Sequence, residues 1–296
     1  MTDIATLPLA SIISVLGIPV RFATNSRDVH DAIVERFGDA TPSELSDDPL
    51  HVHITVREGS EGTDRPIRVA HILPDAQRLL LHSPGSVGVV DPSRRHAIAF
   101  VTADLVADKA TFCDSVLTAL TLALVAQFDR HPIHAAAIAR DDRVILLAGP
   151  SGAGKSTLAY LALAEGMDVL TDERVWVQLA PTFRVWAEGA PIRLLRNGTP
   201  GEKVAIPLPK SPANRDDFSR AKVCVLARGT HVVLDALAPE EVEHELATQL
   251  TPGFDRFPER HKAVVRALAD AGGWRLTLTS DPRAALPFLR GMLEEP

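Results

Sequence analysis

Nine consecutive residues, Gly149-Pro150-Ser151-Gly152-Ala153-Gly154-Lys155-Ser156-Thr157, fit the spacing G-x-x-x-x-G-K-[ST]. Glycines so placed let the backbone curl until successive N–H groups point inward, and the start of a helix adds partial positive charge. The lysine then reaches the terminal phosphates, and the hydroxyl of Ser156 faces Mg²⁺. The pattern predicts a loop that holds nucleotide phosphates. An acidic pair, Asp172-Glu173, stands 17 residues beyond Lys155, behind the apolar Val169-Leu170. One helix and one turn bring such a pair back beside the loop. There one carboxylate can hold Mg²⁺ or its water, and one can accept the proton of an attacking hydroxyl. His134, in Arg130-His131-Pro132-Ile133-His134-Ala135, precedes the loop. By residue type alone, a lone histidine in an apolar strand is usually a satisfied structural one.

These residues need a strand, a turn and a helix to bring them together. Val144-Ile145-Leu146-Leu147-Ala148 reads as the strand before the glycines, and a helix is expected over about Gly154–Glu165. Upstream, Pro132–Ala139 reads as a strand carrying His134 and joined to the loop strand by a turn at Asp141-Asp142. Arg174–Leu179, Thr182–Trp186 and Ile192–Leu195 are strand candidates, as are Val223–Ala227, Val232–Asp235 and Trp274–Leu278. Helices fit Pro239–Gln249, Pro258–Ala271 and Pro282–Leu293. Arg196–Asp217 holds Pro200, Pro207, Pro209 and Pro212 and reads as a long loop. Before residue 104 the signals are strand-like, at Leu50–Arg57, Ile67–Leu73, Leu79–His82, Ser86–Asp91 and His96–Thr102, and predict an antiparallel β-rich region. One helix, Arg27–Phe37, is expected there, with Asn25 and Ser26 as candidate caps. A long apolar helix from Lys109 to Phe128 leads onward. The expected organisation is a β-rich α+β domain over 1–126 and a phosphate-loop α/β domain over 127–296.

The 296 residues are 46% hydrophobic, enough for real cores, and carry a formal net charge of −7. That charge argues against a general nucleic-acid or anionic-membrane surface, which needs a positive field. An anionic ligand must be held locally. The two cysteines, Cys113 and Cys224, lie in apolar runs and suit a reducing cytoplasm better than a disulfide framework. Met-Thr-Asp-Ile offers no basic leader, so Leu9–Leu16 reads as part of the fold. Val116–Phe128 is too short to span a bilayer and reads as a buried helix. Cytoplasmic localisation is expected, with no nucleic-acid or membrane partner and self-association left open.

A phosphate loop does not name a reaction. ABC ATPases place their acidic pair much further along, behind a serine-glycine signature absent here, and no Asn-Lys-x-Asp base-recognition sequence of GTPases occurs. The order that does occur is a His-Ala strand, a turn, a second strand, Gly-x-Ser-Gly-x-Gly-Lys-Ser, a helix and an acidic pair. In this it resembles the HPr kinase/phosphorylase family over about residues 130–180, and weakly over Lys222–Leu250. The layout of a β-rich first part also resembles the HPr-kinase-like enzymes of peptide natural-product pathways, lasso-peptide kinases among them. The resemblance implies a P-loop HPr-kinase-like (PEP-carboxykinase-like) α/β domain, bound ATP and Mg²⁺, Asp172 as the base for a serine hydroxyl, and His134 close to the acidic pair. The chain departs from the family at Glu173, where the family has a second aspartate. The segment Ala187-Glu188-Gly189-Ala190-Pro191-Ile192-Arg193 is at best a loose counterpart of its Glu-x-Arg-Gly-x-Gly.

The expected catalytic set is Asp172, His134, Lys155 and Lys203, with Gly149 through Thr157 on the nucleotide and Ser156, Asp172 and Glu173 on the metal. Arg193, Lys203 and Lys210 are the basic residues that can offset developing charge, Lys203 first among them. The expected activity is an ATP- and Mg²⁺-dependent kinase acting on a serine-type hydroxyl of a small protein or peptide. The alternatives are a small-molecule kinase of the shikimate or adenylyl-sulfate type, and a non-catalytic nucleotide sensor.

Overall fold

The computed structural model describes residues 7–38, 48–58, 68–73, 78–83, 85–187, 192–195, 203–208, 217–247 and 258–294. The chain is a mixed α/β protein that divides into two units, Met1–Phe128 and Asp129–Pro296.

In the first unit, β1 (Leu9–Val15) and β2 (Ile18–Thr24) form a hairpin whose two turn residues, Leu16 and Gly17, both have positive φ. That backbone suits the right-handed twist of the flanking strands. α1 (Arg27–Phe37) starts at Ser26, whose hydroxyl accepts from the Val29 N–H at 3.4 Å. β3 (Leu50–Arg57), β4 (Arg68–Leu73), β5 (Arg78–Ser83), β6 (Ser86–Asp91) and β7 (His96–Thr102) complete a sheet ordered β1-β2-β3-β7-β6-β5-β4. This sheet is mixed, not antiparallel as the strand-like sequence predicts. β2 with β3 and β3 with β7 are parallel. Antiparallel neighbours can be joined by a tight turn, whereas α1 and the β4–β6 meander are the long connections that parallel pairing needs. α2 (Ala103–Ala107), α3 (Lys109–Phe112), a π-helical stretch at Cys113–Thr118 and α4 (Ala119–Val125) follow. Leu120, Leu122, Leu124 and Val125 are fully buried, which fits the all-apolar sequence there.

The second unit holds β8 (His131–Ile133), β9 (Ala136–Arg140), β10 (Arg143–Ala148), α5 (Lys155–Ala164), β11 (Asp168–Thr171), β12 (Val175–Gln178), β13 (Arg184–Ala187), β14 (Ile192–Leu195), β15 (Lys203–Ile206), β16 (Asp217–Phe218), β17 (Arg220–Arg228), β18 (Val233–Leu237), α6 (Pro239–Ala247), α7 (Pro258–Asp270), β19 (Gly273–Leu278) and α8 (Leu286–Glu294). Its main sheet is ordered β11-β9-β10-β17-β19-β18, with β10, β17 and β19 mutually parallel. Strands buried on both faces read as continuous apolar runs, and Val144–Ala148 shows why. Val144, Leu146, Val223 and Val225 face Val242 and Leu246 of α6 and Val264 and Leu268 of α7. Ile145, Leu147, Cys224 and Leu226 face Leu158 and Ala162 of α5 and Leu289 and Leu293 of α8.

Two expectations are corrected here. The single strand predicted over Pro132–Ala139 is two strands in different sheets, β8 against β12 and β9 against β10, with the break at His134-Ala135. An unbroken apolar run carries no sign of such a change of layer. Within the predicted loop Arg196–Asp217, Lys203–Ile206 is a strand paired with β14, and Asp217 opens β16. Ile192, Leu194 and Ile206 of that hairpin pack on the α5 side of the sheet. Among the described residues no helix is long and apolar enough to cross a membrane.

Gly273 shows how closely α6 packs. A Cβ there would stand 2.6 Å from Val242 Cγ2 and 3.1 Å from the Val223 carbonyl oxygen. Gly273→Ala is expected to destabilise the second unit by about 1–3 kcal/mol, as overpacking of a core does. Chemical denaturation checks this, with an unchanged midpoint as the contrary result.

Candidate functional site

The loop follows β10 directly. Gly149, Gly152 and Gly154 take φ of 140°, 84° and 114°, a backbone few other residues adopt, and Ala153 N–H closes the turn on the Pro150 carbonyl at 3.1 Å. α5 begins at Lys155 with Gly154 as its cap, so the first N–H groups of the helix have no side-chain cap to satisfy them. Pro150, Ser151, Gly152 and Thr157 are exposed, and Ser156 is half-buried. Lys155 by contrast is only 7% exposed, and its ammonium donates to the Gly149 carbonyl at 2.5 Å and the Pro150 carbonyl at 3.4 Å. Burial lowers its pKa, and the Asp172 carboxylate acts against that shift.

Strand register explains why Asp172 is there. β11 pairs with β9 so that Thr171 lies opposite Ala137, and β12 pairs with β8 so that Val175 lies opposite Ile133. Both chains therefore leave one sheet and enter the other side by side, and the residues in passage are His134-Ala135 on one and Asp172-Glu173-Arg174 on the other. They do so at the edge where β10, β17 and β19 end, the side of a parallel sheet on which ligands bind.

Asp172 is 5% exposed, with Oδ2 accepting the Arg193 N–H at 2.8 Å. Its Oδ1 is buried and has no hydrogen-bond partner. Glu173 is more open, with its side chain 44% exposed and Arg193 Nη1 at 3.9 Å from its carboxylate. His134 is half-buried and hydrogen-bonds the Glu173 backbone. Burial lowers its pKa first and the Lys155 charge second, with Glu173 opposing. His134, Lys155, Asp172, Glu173 and Arg193 thus form one electrostatic group.

Arg193 reaches the site through its main-chain N–H and its guanidinium, and the β14–β15 hairpin holds it there. Lys203 opens β15, opposite Leu195. The side chain of Lys203 and the whole of Lys210 lie outside the described residues. A basic residue the sequence reading missed is Arg228, at the end of β17. A Cβ on Gly154 would stand 3.1 Å from both Arg228 Nη2 and Leu278 Cδ1, so the guanidinium lies against the start of α5. Its position at the carboxyl end of a strand parallel to β10 was the available signal. The cavities of about 440 and 300 Å³ lie at the opposite end of β10, lined by Arg143 and Arg220, and share no residue with this site.

Neither a protein-family model nor a curated protein matches this chain. Among solved structures, the HPr(Ser) kinase/phosphatase from Coxiella burnetii is similar at a TM-score of 0.32 and 10% identity, over 55% of this chain and 95% of that one. A likeness that slight carries no functional weight, which rests instead on the geometry above.

The Arg193–Asp172 bond ties the β14–β15 hairpin to the acidic pair. Asp172→Ala is expected to speed deuterium exchange at the Arg193 amide by on the order of 10-fold, the value of one charge-assisted hydrogen bond. Exchange at the wild-type rate would mean the hairpin is held without Asp172.

Proposed function

We propose that this chain is an ATP- and Mg²⁺-dependent phosphotransferase whose acceptor is a serine-type hydroxyl on a small protein or peptide. One observation carries the reading: a buried loop lysine lies in the field of a buried carboxylate that has one oxygen bonded and the other unengaged. A purely structural carboxylate would have both oxygens satisfied, since an unpaired buried acceptor is costly.

The residues fit the groups they would hold. The amides of Gly149–Thr157 and the Lys155 ammonium suit a phosphate chain, and Ser156, Asp172 and Glu173 offer the oxygen ligands that Mg²⁺ takes. Mg²⁺, when bound, supplies neutralisation of phosphate charge. The Arg193 main-chain N–H already engages Oδ2 of Asp172, which leaves Oδ1 for the acceptor. Asp172 Oδ1 then accepts the hydroxyl proton as that oxygen bonds to the γ-phosphorus and the bond to ADP breaks. Lys155 leaves its loop carbonyls for the phosphates, and Arg228 stands beside the same helix start to offset charge. His134, kept neutral by burial and by Lys155, can orient the acceptor without adding charge.

Labelled ATP with Mg²⁺ and a peptide fraction from the native host tests this. Lys155→Ala is expected to weaken ATP binding by about 10-fold or more, in line with a lost charge-assisted contact. Asp172→Asn should preserve binding and lower transfer by 10²–10⁴-fold, roughly the contribution of a general base. ATP binding without transfer to any hydroxyl would support the sensor reading instead.

A further inference from the structure

The sheet of the first unit carries a second cluster of side chains able to do chemistry. On β3, Leu50, Val52 and Ile54 are fully buried, which turns His51 and His53 to the opposite face. β7 lies parallel to β3 with His96 directly opposite His51. The His51 and His96 rings stack at 4.6 Å between centroids, and His53 stands edge-on to both at 5.9 and 5.6 Å. One ring nitrogen from each lies within 4.8 Å of the other two.

The hydrogen-bond pattern of two of the rings suits a metal site. His53 Nδ1 is buried with no hydrogen-bond partner. His96 Nδ1 lies 2.6 Å from the Arg94 carbonyl oxygen, to which it donates as N–H, and this leaves Nε2 with a free lone pair. Burial first, and the neighbouring imidazoles after it, lower His51 below its ordinary value and His53 to about 4. Arg21 and Arg95 oppose a cation here, and Asp48 favours one.

We propose that His51, His53 and His96 form a three-imidazole site for a late first-row divalent cation, Zn²⁺ foremost, with a fourth position open to solvent. Neutral imidazole suits Zn²⁺ and its neighbours, whereas Mg²⁺ and Ca²⁺ need oxygen ligands that this face does not offer. Tetrahedral ligands at Zn–N distances sit roughly 3.3 Å apart, so the rings, whose nitrogens lie within 4.8 Å, must turn inward to close on the ion. The site is separate from the phosphate loop in sequence and chemistry, and does not depend on the kinase reading.

Calorimetric titration of metal-free full-length protein with Zn²⁺ tests it, with visible absorption of added Co²⁺ as the readout of geometry. One Zn²⁺ per chain is expected, with four-coordinate Co²⁺ absorption that Zn²⁺ displaces. His53→Ala and His96→Gln should each weaken binding by at least roughly 100-fold, the upper end of what losing an outer-shell partner alone does. His82→Gln, on β5, serves as a control that leaves binding intact. Absence of saturable binding overturns the proposal, as does binding unchanged in the folded His96→Gln protein.

Discussion

An ammonium buried in protein must find charge and acceptors close by, and the second unit is arranged around that demand. Lys155 is 7% exposed, a burial that pushes its pKa down, and the Gly149 and Pro150 carbonyls and the Asp172 carboxylate stand against the loss of water. The carbonyls are supplied by a loop that can curl only because Gly149, Gly152 and Gly154 accept positive φ. At Gly149 a Cβ would also press to 3.1 Å from that of Ala153, so close approach adds to the conformational reason. The carboxylate is supplied by the register of β11 on β9 and of β12 on β8, which carries Asp172 across from one sheet to the other beside His134.

That arrangement leaves one half of the carboxylate committed and the other available. Oδ2 is locked by the Arg193 amide, and the hairpin that delivers this amide is held by Ile192, Leu194 and Ile206 against the α5 face of the sheet. Packing of the residues flanking Arg193 thus positions the N–H that holds Oδ2 of Asp172. A catalytic carboxylate held by the backbone, rather than by a mobile side chain, keeps its orientation as ligands enter.

Much of the site could be read from the sequence, because its signals are local. The glycine spacing, the apolar run before it and the position of Asp172-Glu173 are each contained within a few residues, and the loop follows β10 and opens α5 as that order requires. What escaped was set by tertiary pairing. An apolar run from Pro132 to Ala139 looks the same whether it stays in one sheet or changes to another. The parallel pairing of β2, β3 and β7 depends on crossovers, not on composition. Lys203–Ile206 is a strand only because β14 is beside it, and prolines on either side masked it. Arg228 and the His51, His53 and His96 cluster draw their meaning from neighbours more than 40 residues away in the chain, except within β3 itself.

The decisive question is whether the loop and the acidic pair form one phosphate-binding site. Deuterium exchange of the full chain with and without Mg·ATP measures this most directly. A shared site predicts slowed exchange at the amides of Gly149–Thr157 together with Asp172 and Glu173. Unchanged exchange across both segments at saturating nucleotide would contradict it, as would protection confined to some other part of the chain.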